Sequence, residues 1–300
     1  MATDISVTAW GAEADELEAA IAAALEVFHQ VEAECTRFDP ASPLMQANAN
    51  NDRPIAVPSL CFAALTAAAH AYERTDGRFD PRVHDDLRRL GYTRSMGFET
   101  GHVEVDDAEV DGRADLAPWR PTFDARESTV HLDGSQVDLG GIGKGLAVRW
   151  ASAVLRRTTA DYLVEAGGDC YAAGSAPDGG AWRVGVEDPL GAPDPLLVLE
   201  VADRAVTTSS IRIRRWTAGD RPVHHLIDPR TGLPGGIGVL AVTVVGSDPA
   251  VAEVDAKVLF LEGSDRIAAA ATDIAACWVT EDGELMTTPH LERCVMWRRQ

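Results

Sequence analysis

The stretch that most constrains this 300-residue chain is Gln136–Trp150, QVDLGGIGKGLAVRW. An apolar run ends in Asp138 and enters four glycines, Gly140, Gly141, Gly143 and Gly145, with Lys144 among them and a helical pattern behind. Glycine lets a backbone take positive φ and approach a ligand closely, and the amides that open a helix favour an anion. A phosphate-bearing ligand is therefore the first expectation. Neither standard nucleotide signature fits. The Walker pattern needs Ser or Thr after its lysine, where this chain has Gly145, and the dinucleotide fingerprint needs GxGxxG opening a βαβ unit. A glycine-rich turn that serves packing alone explains the stretch equally well, so other segments must decide.

Composition narrows the classes. An apolar fraction of 46% suits a folded chain with a substantial core. A net charge of −20, with no basic run to offset it, argues against nucleic acid as a partner. The N-terminal MATDISVTAWGAEADELEAA lacks a basic leader with an apolar core, and no run of about eighteen apolar residues occurs. The expectation is a cytoplasmic protein with no membrane span. Cys35, Cys61, Cys170, Cys277 and Cys294 are odd in number and never spaced as CxxC, so they read as small buried hydrophobes. Of 27 basic residues, Lys144 and Lys257 are the only lysines. A compact ammonium kept against an arginine background marks a tight site, with chance the alternative for two residues.

Periodicity places a first strand at Ile5–Trp10 and a helix over Ala12–Glu34, with Leu17, Ala20, Ile21, Ala24, Leu25 and Phe28 on one stripe. The Pro-, Asn- and Asp-rich CTRFDPASPLMQANANNDRPIAV reads as a loop, followed by a helix from about Pro58 to Arg74. Gly77–Tyr92 reads as a turn, a short helix and a glycine stop. Within it His84-Asp85-Asp86 suggests metal, but adjacent helical residues point in different directions, which favours a solvated face. Thr93–Pro121 is acidic, glycine-punctuated and reads as a surface excursion. Short strands are expected at Thr129–Leu132, Gln136–Leu139, Tyr162–Ala166, Trp182–Val186, Leu196–Val201, Ala205–Ser209, Arg212–Trp216 and Val239–Val245. Helices are expected at about Lys144–Arg157, Pro249–Leu261 and Arg266–Thr272, before a hairpin in ACWVTEDGELMTTP. There is no internal repeat and no long linker. The expected class is α+β, mixed sheets with flanking helices in a single compact domain over residues 1–300.

Four segments concentrate glycine with titratable or hydroxyl groups at strand ends or turns: Asp138–Gly145, Glu165–Asp169 (EAGGD), Thr207–Ser210 (TTSS) and His224–Gly232 (HHLIDPRTG). Loops at the ends of a rigid sheet can converge on one ligand, although each alone is ordinary turn chemistry. As a set they are specific. VDLGGIGKG, EAGGD, AVTTSS, HHLIDPRTG and AEVDAKVLF stand in the order seen in the ApbE family of flavin transferases, which the chain resembles. Upstream, CTRFDPASPLMQAN is similar to the family's CSRF-type segment and GRFDPRV to its GxFDPxV element. The resemblance spans most of the chain, with Thr93–Pro121 least matched.

The resemblance implies an enzyme that moves FMN from FAD onto a protein threonine and releases AMP. It implies that Asp138, Gly140 and Lys144 contact FAD, that Leu90, Gly91 and Tyr92 line the flavin with Phe38 packed nearby, and that Gly167, Gly168 and Asp169 form another wall. Thr208, Ser209 and Asp228 join the cofactor-binding set, although Asp228 reads better as a turn-fixing residue. His225 matches the histidine that assists deprotonation of the threonine, a role suited to imidazole near neutral pH. Without the IDPRTG match, His224 and His225 read as ordinary exposed or packed histidines. The acceptor is expected to carry a DxxTSxT-like motif.

The family's Mg²⁺ would be held by the carbonyl at Gly141 and by an Asp and a Thr four residues apart. Here Glu253 stands at the Asp position and Lys257 at the Thr position. Glutamate still suits Mg²⁺, but an ammonium donates protons and repels a cation. Three readings stand open. Lys257 replaces the metal's charge; it turns away and leaves Glu253, Asp255 or Gly141 to hold Mg²⁺; or it marks a member that binds FAD without transfer. The first is favoured because both lysines fall in site segments, and an exposed Glu253–Lys257 pair is the structural alternative. Hydrolysis of FAD by a pyrophosphatase and simple FAD carriage are the competing functions.

Overall fold

The computed structural model describes residues 3–95, 104–105, 111–112, 114 and 116–299. Among them are seven α-helices: α1 (Ala14–Cys35), α2 (Pro43–Ala49), α3 (Ser59–Arg74), α4 (His84–Arg89), α5 (Gly143–Leu155), α6 (Pro249–Glu262) and α7 (Ser264–Ala270). Five sheets accompany them, the α+β class expected. The chain forms two compact units, one made of Gln30–Gly143 with Ile213–Gly235 and the other of Ala2–His29, Lys144–Arg212 and Gly236–Gln300. About half of the acidic excursion expected at Thr93–Pro121 lies outside the described residues.

The second unit is built on a seven-stranded antiparallel sheet in the order Ile5–Trp10, Asp161–Ala166, Asp169–Ala173, Arg204–Ser210, Val239–Gly246, Ala275–Thr280 and Leu285–Thr287. Strand residues alternate between faces, and both faces are covered. Cys170, Ala172, Val206, Val245 and Cys277 pack in one cluster with Trp182, Val186, Leu197 and Leu199 of a three-stranded sheet. Helix α6 packs on the strands Arg204–Ser210 and Val239–Gly246. Burial on two sides explains why Val239–Gly246 reads as an almost unbroken apolar run. Helix α6 starts where Asp248 accepts the Val251 amide and Pro249 needs no amide partner, and it stops at Gly263 with φ +76°.

The first unit carries α2, α3 and α4 with three small sheets. Ile55–Ala56, Thr129–His131 and Thr122–Asp124 form one, and Arg221–His224, Arg215–Ala218 and Glu104–Val105 another. Ile227–Asp228 pairs with Leu233–Pro234. Leu87, Leu90, Trp216, Ala218, Val223 and Ile227 make a buried cluster there.

Three local expectations are corrected. Gln136–Leu139 joins no sheet among the described residues. The buried side chain of Asn48 imitates a neighbouring strand, its Nδ2 donating to the Val137 carbonyl and its Oδ1 accepting the Val137 amide, both at 2.9 Å. The Asp138 amide donates to the Pro81 carbonyl at 2.8 Å, so these three backbone groups are met without a ladder. The segment read as a loop contains α2, capped by Ser42 and led by Pro43. The strand expected at Arg212–Trp216 begins only at Arg215.

Replacing Asn48 by alanine strands two buried backbone groups, each worth about 1–3 kcal/mol. Urea unfolding of Asn48→Ala is expected to show a loss of about 2–6 kcal/mol, and a loss below about 0.5 kcal/mol would remove Asn48 from this role.

Candidate functional site

The residues singled out by the sequence fall into two groups, one in each unit. In the second unit the organising group is the carboxylate of Glu253, 1% exposed on α6. Its Oε1 accepts from Lys257 Nζ at 3.1 Å, one helical turn on, and from Lys144 Nζ at 3.2 Å. Its Oε2 accepts the Gly145 amide at 2.8 Å. Gly145 lies in the first turn of α5, where amides lack partners within the helix. The anion expected at this helix start is thus supplied, for one amide, by the protein itself.

This contact needs a glycine. A Cβ on Gly145 would come within 2.6 Å of the Pro249 carbonyl oxygen and 2.7 Å of Ala250 Cα. Lys144 also bonds Asp169 Oδ2, while Asp169 Oδ1 accepts the Thr208 amide at 2.9 Å. Asp169 has no exposure and both lysines are 15% exposed, so two ammoniums and two carboxylates form a largely buried quartet. Burial pushes the Asp169 carboxyl up, against Lys144, and pushes Lys257 down, against Glu253. Burial would also raise Glu253, but the two ammoniums and the Gly145 amide outweigh it and hold its carboxyl at about 2.

Gly167 and Gly168, with φ +55° and +86°, form the two-residue turn between the paired Ala166 and Asp169. Both positive angles are what a tight hairpin requires. Thr208 Oγ1 lies 2.9 Å from Thr243 Oγ1. The buried Ser209 and Thr207 hydroxyls have no hydrogen-bond partner among the described residues.

In the first unit the organising group is Arg37, a residue the sequence reading passed over. Its Nε donates to Asp138 Oδ2 at 2.8 Å and its Nη1 to the Tyr92 carbonyl at 2.6 Å. Its guanidinium carbon lies 4.3 Å from the Phe38 ring centroid and 4.2 Å from that of Tyr92, a double cation–π contact. Buried Nη2 has no partner among the described residues. Asp138 Oδ1 accepts the Gly140 amide at 2.7 Å, so both carboxylate oxygens serve the turn and Arg37. Tyr92 also packs 5.4 Å from Trp216, whose Nε1 donates to the Leu90 carbonyl at 2.7 Å. Gly91, at φ +89°, is pressed close enough that a Cβ would meet Val105 Cγ1 at 2.4 Å.

The same unit holds HHLIDPRTG. The His225 ring Nδ1 lies 3.2 Å from the Arg214 carbonyl. A carbonyl only accepts, so Nδ1 carries the proton and Nε2 is the basic nitrogen. Asp228 binds Arg230 through both oxygens and its carbonyl accepts the Thr231 and Gly232 amides, which makes it a turn-fixing residue. His84 and Asp86 are buried while Asp85 is exposed, so the solvated face expected there is corrected: only the middle residue faces water. Among the described residues no group of three or more His, Cys, Asp or Glu is gathered that could hold a metal ion.

The family profile described as "ApbE family" matches residues 1–278. This chain belongs to the ApbE family. Among ApbE-type relatives, the FAD:protein FMN transferase of Treponema pallidum is 28% identical over 274 residues, covering 84% of this chain and 74% of that protein. That of Klebsiella pneumoniae is 27% identical over 258 residues, covering 82% and 77%. The crystal structure of the Thermotoga maritima ApbE protein superposes with a TM-score of 0.80 at 24% identity, covering 99% of this chain and 96% of the other. The Vibrio cholerae flavin transferase ApbE gives 0.74 at 23%, covering 98% and 96%. These structures share the fold.

The divalent cation implied by the ApbE resemblance does not fit Glu253 as it stands, because both its oxygens are occupied by N–H donors and two of those donors are cations. A divalent ion beside that carboxylate would be repelled by both ammoniums.

Two outcomes follow from this geometry. Gly145→Ala forces α5 from α6 and is expected to lower stability by about 1–3 kcal/mol in denaturant unfolding. Burial lowers His224 from 6.5 to about 4, outweighing a backbone bond at Gly235. Between those pH values the unfolded chain binds a proton that the folded chain refuses, so stability falls as pH drops through this window. An NMR titration should show His224 neutral until about pH 4, and a midpoint near 6.5 would refute it.

Proposed function

We propose that this chain is an FAD:protein FMN transferase that moves FMN from FAD to a threonine of an acceptor flavoprotein, forming a phosphoester and releasing AMP. The observation that carries the reading is membership of the ApbE family across residues 1–278, with relatives named FAD:protein FMN transferase. The match crosses both compact units, which supports treating them as parts of one transferase domain.

In the proposed reaction the threonine oxygen attacks the phosphorus on the FMN side of the pyrophosphate, the bond to the AMP phosphate breaks, and AMP leaves with the bonding electrons. His225 Nε2 takes the threonine proton, its tautomer fixed by the Nδ1–H bond to Arg214. Charge gathers on the leaving phosphate, and the ammoniums of Lys144 and Lys257 are the cations proposed to stabilise it. Tyr92, Leu90 and Gly91, with Phe38, are assigned to the flavin, and Asp138 and Gly140 to the same part of FAD. Arg37 holds Tyr92 and Asp138, and its Nη2 is a buried donor suited to a ligand acceptor. Gly167, Gly168, Thr208 and Ser209 are assigned to a further stretch of FAD, with Asp169 and Asp228 holding the backbones around them.

The acceptor threonine is read as lying in an accessible DxxTSxT-like loop. No helix among the described residues is long and apolar enough to cross a membrane. Five unpaired cysteines suit a reducing compartment, so the cytoplasm is the proposed location. Neither nucleic acid nor membrane enters the reading.

Incubation with FAD and a candidate acceptor, followed by mass analysis, should show one added FMN per acceptor and stoichiometric AMP. Equal AMP and FMN release without acceptor would instead show a pyrophosphatase, and tight FAD binding with no AMP a carrier. His225→Ala should slow transfer by about 10²–10⁴-fold while FAD binding stays within a few-fold. Transfer at the wild-type rate by that variant would falsify the general-base role.

A further inference from the structure

We infer that this chain carries its own positive charge where the family resemblance implies a divalent cation, and that Lys257 is the residue that keeps such a cation from Glu253. The inference rests on the transferase reading for what that charge acts on, but its binding half stands apart from it. Three observations support it.

First, every oxygen of the two carboxylates already accepts an N–H donor. Glu253 Oε1 receives Lys144 and Lys257 at 3.2 and 3.1 Å, and Oε2 receives the Gly145 amide at 2.8 Å. Asp169 is held by Lys144 on one oxygen and by the Thr208 amide on the other. A hard divalent cation needs several oxygens with lone pairs turned toward it, and an ammonium offers only N–H. Second, the charge balances: two ammoniums face two carboxylates, so the quartet has no net negative charge to attract a cation. Third, the placement is specific. The chain holds two lysines among 27 basic residues, and both touch the same oxygen of Glu253 from different helices.

Lys257 is the removable member. Without it Lys144 keeps Asp169, the quartet becomes net negative, and one direction of approach to Glu253 Oε1 opens. Restoring threonine there adds an oxygen one helical turn from Glu253.

The test uses the whole chain, stripped of metal and free of FAD, titrated with Mn²⁺ and followed by the electron paramagnetic resonance of the free ion. Wild type is expected to show no saturable binding. Lys257→Thr is expected to bind one Mn²⁺ per chain with affinity raised about tenfold or more, and Glu253→Gln added to that variant should abolish the gain. Lys257→Met serves if the threonine variant fails a thermal-melt check of folding. A saturable wild-type site that Glu253→Gln removes would overturn the inference, as would a folded Lys257 variant with no gain. In a parallel assay, wild-type FMN transfer should keep its rate in EDTA, and loss there with rescue by Mg²⁺ would also overturn it. An absence of transfer under every condition counts against the transferase reading alone, since the Mn²⁺ titration does not depend on turnover.

Discussion

A carboxylate taken out of water is tolerated only where donors replace its hydration. Glu253 meets that condition with two ammoniums and one helix-start amide, and much of the second unit is arranged to supply them. The amide is reachable because α5 crosses α6 at a residue without a side chain, Gly145. Lys144 extends the arrangement to Asp169, which ties down both the Gly167-Gly168 hairpin and the strand carrying Thr208. Four segments far apart in sequence are therefore fixed by one anion and its neighbours. Removing either lysine or either acid would leave a buried charge uncompensated.

Much of this was legible in the residues, and the reasons differ by segment. The glycines, the lysine and the EAGGD and HHLIDPRTG turns announced themselves because unusual backbone geometry restricts residue type strongly. The strand Val239–Gly246 and helix α6 were clear because a rigid period carries the apolar pattern and the caps Asp248 and Gly263 mark the ends. Asp138–Gly145 was expected to greet a ligand anion, but sequence could not show that Glu253, over a hundred residues away, brings its own. Nor could it show that Gln136–Leu139 pairs with no strand among the described residues, because the substitute is a single asparagine side chain from α2. Such pairings are decided by tertiary placement, which local patterns do not encode.

The first unit makes the same point with aromatic groups. Phe38 and Tyr92 were visible as candidates, whereas Arg37 between Thr36 and Phe38 looked like one more arginine in an arginine-rich chain. Its position over both rings, with Asp138 and the Tyr92 carbonyl as partners, makes it the residue on which the others are set. The only hint in the sequence was its place inside the CTRF segment.

The scarcity of lysine has one more consequence. Of the 27 lysine and arginine residues all but two are arginine, so the two ε-amines of this molecule both sit in the quartet. Any acylation, glycation or reductive methylation of a lysine side chain here strikes the site itself, with no surface lysine to absorb the reagent. Amine chemistry that merely decorates most proteins becomes, for this one, a local probe: an isotope-labelled methyl on either nitrogen would report the charge state and surroundings of Glu253 without background from another lysine.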